Sequence, residues 1–176
     1  MSKKKYDIVV VGGGHAGVEA ALISSSLGVS VALITMDKNA IARMSCNPAI
    51  GGLAKGQIVR EMDVLGGVMA ETADISGLQF KTLNKSKGRA VWSPRAQIDK
   101  RVYEQNILKK VEKSPVSIIQ SEAISIDICN YKVKSVLLRS EEKINCSCLI
   151  ITAGTFLSGL IHIGERKILA GRMGEE

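Results

Sequence analysis

The chain has 176 residues, of which 45% are hydrophobic and 23% charged, so its composition excludes collagen-like, disordered and low-complexity proteins. Its length fits about one domain. Aromatic residues are scarce, with 2 Phe, 3 Tyr and 1 Trp, which predicts an aliphatic core and argues against a nucleic-acid module built on stacking side chains.

The net charge of +7 is concentrated in one stretch of the chain. Residues 79–110 contain nine basic and two acidic residues, so the remainder sums to zero. The basic residues are Lys81, Lys85, Lys87, Arg89, Arg95, Lys100, Arg101, Lys109 and Lys110. Such a stretch indicates a surface that binds a polyanion, whereas a solvated helix face with a loop is the usual explanation for a charged run. The concentration of charge slightly favours a nucleic acid.

Three classes of protein are not indicated. The four cysteines include no CxxC spacing, so we predict neither a metal site nor a redox dithiol. The apolar run Ile8–Val11 is too short for a signal peptide, and no stretch approaches the roughly 20 apolar residues of a membrane span. We therefore expect a cytoplasmic protein.

The start of the chain predicts a βαβ unit. Residues 6–11 (YDIVVV) are rich in β-branched side chains and are not interrupted by Gly or Pro, which is typical of a strand that is buried on both faces. Residues 15–27 have helical character and end at Gly28, and residues 29–34 form a second apolar run. A strand, a helix and a strand in this order predict a parallel sheet.

The middle of the chain is less regular. Residues 39–56 contain Pro48 and several glycines, which indicates loops and short helical turns. Residues 57–65 have helical spacing, and residues 74–93 have no pattern. Residues 94–113 predict a helix with Pro94 in its first turn and an apolar stripe that includes Ile98 and Tyr103.

The last third of the chain predicts more strands. Residues 116–119 form a short apolar run, residues 122–147 alternate in the manner of an antiparallel meander, and residues 149–152 are apolar again. The expected fold class is therefore α/β, a Rossmann-like domain with a parallel sheet, helices and a β-meander.

The motif Gly12-x-Gly14-x-x-Gly17 is a dinucleotide fingerprint, since it follows a strand and opens a helix. A purely structural glycine turn is the alternative. His15 lies within this loop, where the backbone binds the ligand, so a catalytic imidazole is not favoured. Asp37, near the end of the second strand, is the candidate for a ribose hydroxyl, although a solvated loop Asp has nearly equal weight.

The segment Ser45–Gly52 is the most unusual in the chain. Asn47 followed by Pro48 indicates a helix N-cap, which would place Cys46 at a helix N-terminus, with Lys55 one or two turns later. The helix dipole would then favour the thiolate and make Cys46 a nucleophile or redox thiol. A buried Cys beside a tight turn is equally compatible with the residues.

The meander distinguishes a flavin from a nicotinamide cofactor. Simple NAD dehydrogenases rarely interrupt the βαβ series in this way, whereas flavoproteins with two dinucleotide domains have this layout. Gly154 and Thr155 would form the small-residue turn near the flavin. A plain strand end is the alternative.

Four segments resemble one family closely. GGGHAGVEAA, MSCNPAIGG with KGQIVREMDVLGG, LNKSKGRAVWSPRAQIDK and TAGTFLSGLIHIGE are similar to the N-terminal portion of the MnmG/GidA family. This family is the FAD-dependent subunit of the tRNA uridine 5-carboxymethylaminomethyl modification enzyme. The resemblance covers essentially the whole chain, and SCNPxxGG is its most specific part.

The resemblance implies an activity. With a GTPase partner of the MnmE family, such enzymes add an aminomethyl-type group at C5 of the wobble uridine of tRNA, with FAD transferring hydride and NADH as the reductant. Cys46 matches a cysteine proposed as the nucleophile. The cofactor-binding residues are then expected to be Gly12, Gly13, Gly14, His15, Ala16, Gly17, Asp37, Asn47, Gly51, Gly52, Ile124, Gly154 and Thr155. The RNA-binding residues are expected to be Lys81, Lys85, Lys87, Arg89, Arg95, Lys100 and Arg101.

The family extends well beyond the residues matched here. We therefore expect residues 1–176 to be the N-terminal part of an FAD-binding domain, inactive by itself, from an enzyme that forms a homodimer and a heterotetramer with its partner. Two alternatives stay open: a non-catalytic product that only binds nucleotide or tRNA, and a generic FAD oxidoreductase.

Overall fold

The computed structural model describes residues 5–44, 47–154, 157 and 159–169. Its α-helices are α1 (His15–Ser26), α2 (Lys55–Val64), α3 (Met69–Ile75) and α4 (Lys100–Lys113). Its strands are β1 (Lys5–Val11), β2 (Val31–Thr35), β3 (Ala49–Gly51), β4 (Gly77–Leu83), β5 (Ser93–Ile98), β6 (Ser117–Gln120), β7 (Ala123–Cys129), β8 (Lys132–Leu138), β9 (Lys143–Ile151), β10 (Leu160–Ile163) and β11 (Arg166–Leu169). None of the described helices is long and apolar enough to span a membrane.

The main sheet has six strands in the order β6-β2-β1-β9-β8-β7. The first four are parallel, with Val9 of β1 opposite Ala32 of β2 and Leu149 of β9. β7, β8 and the start of β9 are antiparallel. The predicted fold class, a Rossmann-like α/β domain with a β-meander, is confirmed. The meander and the last apolar strand are joined more closely than predicted, because β9 belongs to both.

Apolar side chains cover both faces of the parallel strands. Val10 and Leu33 belong to a cluster that includes residues of α1 and α4, whereas Val9 belongs to a second cluster with Val136 and Leu138 of β8. Because successive side chains of a strand point to opposite faces, neighbouring residues such as Val9 and Val10 supply both layers. This burial on two faces explains the apolar run Ile8–Val11 at the end of β1.

A smaller antiparallel sheet has the order β3-β5-β4. It corrects two expectations, because residues 77–83 form β4 rather than irregular chain and Pro94 lies in β5 rather than in a helix. α4 begins after Asp99, whose carboxylate accepts hydrogen bonds from the backbone N–H groups of Arg101 and Val102 at 2.9 and 3.0 Å. The fixed φ of proline fits both a strand and a first helical turn, so Pro94 alone does not discriminate between them.

Candidate cofactor site and nucleic-acid interface

The loop Gly12–Gly17 lies at the carboxyl end of β1, where the neighbouring strands β2 and β9 also end. The backbone N–H of Gly12 donates to Ile34 O at 2.9 Å. From the other side, Thr152 Oγ1 donates to Val11 O at 2.9 Å and to Gly12 O at 3.1 Å. The carboxyl edge of a parallel sheet is the place where doubly wound folds bind ligands, so the fingerprint lies where its proposed use requires.

The glycines of this loop allow close packing of the backbone at three positions and leave open space at the fourth. Gly12 has φ +110°, and a Cβ on Gly17 would collide with the carbonyl oxygen of Gly12. A Cβ on Gly13 would lie 2.8 Å from Thr35 Oγ1. A Cβ on Gly14 would meet no described atom within 4 Å. Gly14 therefore leaves open space in front of the helix, and this space is available to a ligand.

The N-terminus of α1 faces this open space. Gly14 is the N-cap and makes no side-chain capping bond, and the first turn contains no acidic residue. The first N–H groups of a helix have no intrahelical partner and carry a partial positive charge. The loop can therefore bind an anionic group such as a pyrophosphate through backbone N–H groups, including those of His15 and Ala16.

The His15 side chain packs against Tyr103, with ring centroids 5.7 Å apart and planes inclined by 34°. Burial, with a smaller contribution from the Lys55 charge, lowers the pKa of His15 to about 4. Burial also raises the pKa of Tyr103, with Glu19 adding to the effect. Within the described part of the chain, His15 Nε2 and Tyr103 Oη are buried without a hydrogen-bond partner. His15 is therefore neutral at pH 7 and adds no cationic charge to the loop.

A groove of about 340 Å³ runs between α1 and α2 beside His15. Its lining is His15, Ala16, Glu19, Lys55, Ile58, Val59, Met62 and Met69. Glu19 accepts hydrogen bonds from the backbone N–H groups of Val68 (3.1 Å) and Met69 (2.7 Å), at the start of α3. Sequence reasoning did not identify Glu19, and it placed Tyr103 on the apolar stripe of the predicted helix without assigning it to the site. The signal available for Tyr103 was a hydroxyl within the otherwise aliphatic stripe of α4.

Asp37 lies just beyond β2, on the flank of the loop. Its carboxylate accepts a hydrogen bond from Asn39 N at 2.8 Å and lies 3.5 Å from Arg43 Nη2. Thr35 Oγ1 donates to Asp37 O at 3.1 Å, and the same Oγ1 lies against Gly13 of the glycine loop. Contact of Asp37 with a ribose stays a prediction.

The third parallel strand, β6, ends beside β2. Ser121 N, just after β6, donates to Thr35 O at 2.9 Å. Ile124 follows in β7 and is half exposed. Its role in cofactor binding stays a prediction.

The helix start predicted at Asn47 and Pro48 is wrong. These residues form a bend followed by β3, and the next helix begins at Lys55. The segment is extended because β3 pairs with β5. Gly51 permits this pairing, since it has φ +98° and a Cβ at this position would collide with the Pro94 carbonyl oxygen. Gly52 N also donates to that oxygen at 2.8 Å.

Two predicted site residues, Cys46 and Thr155, lie outside the described residues. The neighbouring Gly154 has φ +76° and follows the loop-binding Thr152 closely, which places it at the same sheet edge. The dipole argument for a Cys46 thiolate loses its basis, since no helix starts at Pro48. The roles of both residues stay predictions.

Five of the seven predicted RNA-binding residues lie on one element, the basic hairpin, which we define as residues 77–98. They are Lys81, Lys85, Lys87, Arg89 and Arg95. Lys81 is directly opposite Arg95 across β4 and β5, and the sequence of the hairpin contains no Asp or Glu. Lys100 and Arg101 lie instead at the start of α4, where Lys100 pairs with Glu104 at 3.9 Å.

The loop of the basic hairpin, residues 84–92, is held by its own hydrogen bonds. Trp92 Nε1 donates to Lys85 O at 3.2 Å, and Asn84 Nδ2 donates to Val91 O at 3.4 Å. The Arg89 guanidinium carbon is 5.8 Å from the centroid of the Trp92 ring, which is within range of a cation–π interaction. Sequence reasoning missed Trp92, because it treated the scarcity of aromatic residues as a property of the whole chain.

Comparison with known proteins assigns the family. The model of the GIDA family, described as glucose inhibited division protein A, matches residues 7–176. The chain belongs to the GidA family. A relative from Sulfurihydrogenibium sp. (strain YO3AOP1), named tRNA uridine 5-carboxymethylaminomethyl modification enzyme MnmG, is 50% identical over 175 residues, which are 98% of this chain and 28% of the relative. The resemblance to the MnmG/GidA family is thereby confirmed.

Solved structures agree with this assignment. Aquifex aeolicus GidA (form II crystal) superposes with a TM-score of 0.94 at 44% identity, covering 99% of this chain and 29% of that chain. The GidA-related protein of Thermus thermophilus superposes with a TM-score of 0.67 at 17% identity, covering 98% of this chain and 63% of that chain, which shows a shared fold. The chain thus spans less than a third of the length of the Sulfurihydrogenibium and Aquifex relatives.

Proposed function

We propose that this chain forms the FAD-binding part of an enzyme that adds a carboxymethylaminomethyl or aminomethyl group at C5 of the wobble uridine of tRNA. The observation that carries the proposal is the glycine loop, whose open space at Gly14 faces the uncapped N-terminus of α1. Membership of the GidA family and the name of its relatives support the choice of tRNA uridine as substrate.

The described residues fit an FAD. The N–H groups of the loop and of the first turn of α1 would bind the pyrophosphate, and the neutral His15 side chain leaves that task to the backbone. Asp37 would accept a hydrogen bond from a ribose hydroxyl, and the backbone at Ile124 would contact the adenine. Asn47, Gly51, Gly52 and Gly154 would lie on the flavin side, and Thr155, outside the described residues, is proposed as a further cofactor-binding residue. When bound, FAD supplies hydride transfer.

The remaining parts of the reaction belong to the proposal as well. Cys46 would be the nucleophile that adds to the uridine, and NADH would be the reductant. A GTPase of the MnmE type would be the partner, with the whole enzyme a homodimer and the complex a heterotetramer. The basic hairpin, with Lys100 and Arg101, would contact tRNA phosphates through charge attraction.

Titration of the purified 176-residue chain with FAD tests the cofactor site. We expect uptake of FAD, measured by flavin fluorescence and absorbance. Gly14→Ala should weaken FAD binding at least tenfold, because the new Cβ enters space that is otherwise open to the ligand. The far-UV circular dichroism spectrum should change little, since Gly14 has φ −71° and no described neighbour within 4 Å of that Cβ.

Two further variants complete this test. Gly17→Ala should weaken FAD binding and also lower the melting temperature, because its Cβ would collide with the Gly12 carbonyl. Ser26→Ala, at the opposite end of α1, should bind FAD as the unmodified chain does. A chain that is folded by circular dichroism but takes up no FAD would refute the proposal. Uptake of FAD without affinity for tRNA would favour a generic FAD oxidoreductase.

A further inference from the structure

Exposed aromatic side chains occur on the basic hairpin although the chain has few aromatic residues. The sequence contains 1 Trp and 2 Phe. Trp92 and Phe80 both lie on this hairpin, with 40% and 61% of their surfaces exposed. Both rings are therefore accessible at the surface of the hairpin, where an aromatic face is available to a partner.

The ring of Trp92 is held in place before any ligand arrives. Its Nε1 donates to the backbone oxygen of Lys85, and the Arg89 guanidinium lies 5.8 Å from the ring centroid. Ser93 Oγ, beside Trp92, donates to Val91 O at 3.2 Å and fixes the same turn. A ring that is already ordered loses little conformational entropy when a partner stacks on it.

The surroundings of Trp92 are cationic. Lys85, Lys87 and Arg89 are exposed in the hairpin loop, and Lys81 and Arg95 continue the positive charge along the strands. No acidic residue interrupts this charge within residues 77–98. Proteins that bind single-stranded nucleic acid combine these two features, a basic track for the phosphates and an aromatic ring for a base.

We propose that Trp92 is the platform on which an unpaired nucleobase of RNA stacks, while Lys85, Lys87 and Arg89 contact the flanking phosphates. This inference rests on the proposed function for its RNA substrate and adds the form of RNA that is recognised. Bases within an A-form helix are stacked on one another and unavailable to a side chain. The hairpin therefore selects single-stranded loop nucleotides over duplex RNA.

The single tryptophan of the chain makes the contact directly measurable. The 176-residue chain is titrated with a fluorescently labelled, single-stranded RNA oligonucleotide and, separately, with the same sequence as a duplex. Label anisotropy reports binding, and intrinsic tryptophan fluorescence reports the environment of Trp92. We expect the single strand to bind more tightly and to quench tryptophan fluorescence, with weaker quenching by the duplex.

Substitutions separate stacking from charge. Trp92→Ala should weaken single-strand binding by about 5- to 150-fold, whereas Trp92→Phe, which keeps an aromatic face, should retain most of the affinity. Lys85→Glu with Lys87→Glu should weaken binding and reduce its salt dependence. Leu78→Ala is the matched control, since Leu78 is an exposed residue of the same hairpin without a ring. The affinity of this variant for the single strand should equal that of the unmodified chain.

The outcomes distinguish this inference from the proposed function. Single-strand binding that leaves tryptophan fluorescence unchanged, with full affinity in Trp92→Ala, would overturn the stacking role and leave the cofactor proposal standing. Equal affinity for both RNA forms would overturn the selection of single strands. Absence of FAD uptake would instead count against the proposed function, because Trp92 and the basic residues of the hairpin loop are not among the proposed FAD-binding residues.

Discussion

His15 couples the glycine loop to α4 through its contact with Tyr103. Its imidazole has a pKa of about 4, because burial deprives the protonated, charged ring of the hydration that would stabilise it. An unfolded chain protonates its histidines near pH 6.5. The unfolded state therefore binds more protons than the native state between these two values, and lowering the pH favours unfolding.

The free energy of unfolding should consequently depend on His15 in mildly acidic solution. As the pH falls from 6.5 to 4, we expect the free energy of unfolding to decrease by up to about 3 kcal/mol through protonation of His15 in the unfolded state, since one pKa unit corresponds to about 1.4 kcal/mol. His15→Phe keeps an aromatic ring against Tyr103 and removes the titrating group. Its urea-unfolding free energy should fall less over this pH range than that of the unmodified chain.

The unmodified chain is the reference for this pH dependence. An identical profile for His15→Phe and the unmodified chain would show that His15 does not titrate in this way.

Helices and strands differ in how far their own residues specify them. β1, α1 and β2 were predictable because an apolar run, a glycine turn and a helical stretch follow one another with local signals. Pro48 and Pro94 misled the prediction, because proline suits both an extended segment and a first helical turn. Pairing between β3 and β5 decided both cases, and this contact joins residues distant in sequence.

The candidate site was predictable to a similar degree. The glycine spacing, Asp37 and the basic residues could be named as candidates from local sequence, and their roles stay predictions. The contact of His15 with Tyr103 and the capping of α3 by Glu19 could not, since each joins two helices whose packing no single segment encodes.

The start of α4 should depend on the side chain of Asp99. Asp99→Ala removes the acceptor for two backbone N–H groups and should cost about 1 kcal/mol. For a domain of this size we expect the melting temperature to fall by about 2–4 °C, measured by circular dichroism. Asp99→Ser, which retains a capping oxygen, should lose less. Equal losses for the two variants would exclude capping as the cause.

Taken as a whole, the molecule exposes apolar side chains at the end of α2. Val64 and Leu65 are 86% and 74% exposed, and Ile58 lies on the same helix face as Leu65, seven residues earlier. The Ile58 and Met62 side chains continue this apolar surface into the groove beside α1. Contiguous exposed apolar surface promotes association in water.

The chain should therefore self-associate as its concentration rises. Leu65→Lys should shift sedimentation velocity toward the monomer, because a charge within the apolar surface opposes its burial. Tyr131→Lys adds the same charge at the exposed β7–β8 turn and should have a smaller effect. If both variants reduce association equally, net charge is responsible and the α2 surface is not.

The hydrogen bond from Thr152 Oγ1 to the Gly12 carbonyl oxygen joins positions 140 residues apart. Contacts between such distant positions form slowly, because a long stretch of chain must be ordered before they close. Because synthesis starts at the N-terminus, the glycine loop leaves the ribosome long before Thr152 has been added to the chain. Until Thr152 has been added, the nascent chain contains the glycine motif without the two hydrogen bonds that support its loop.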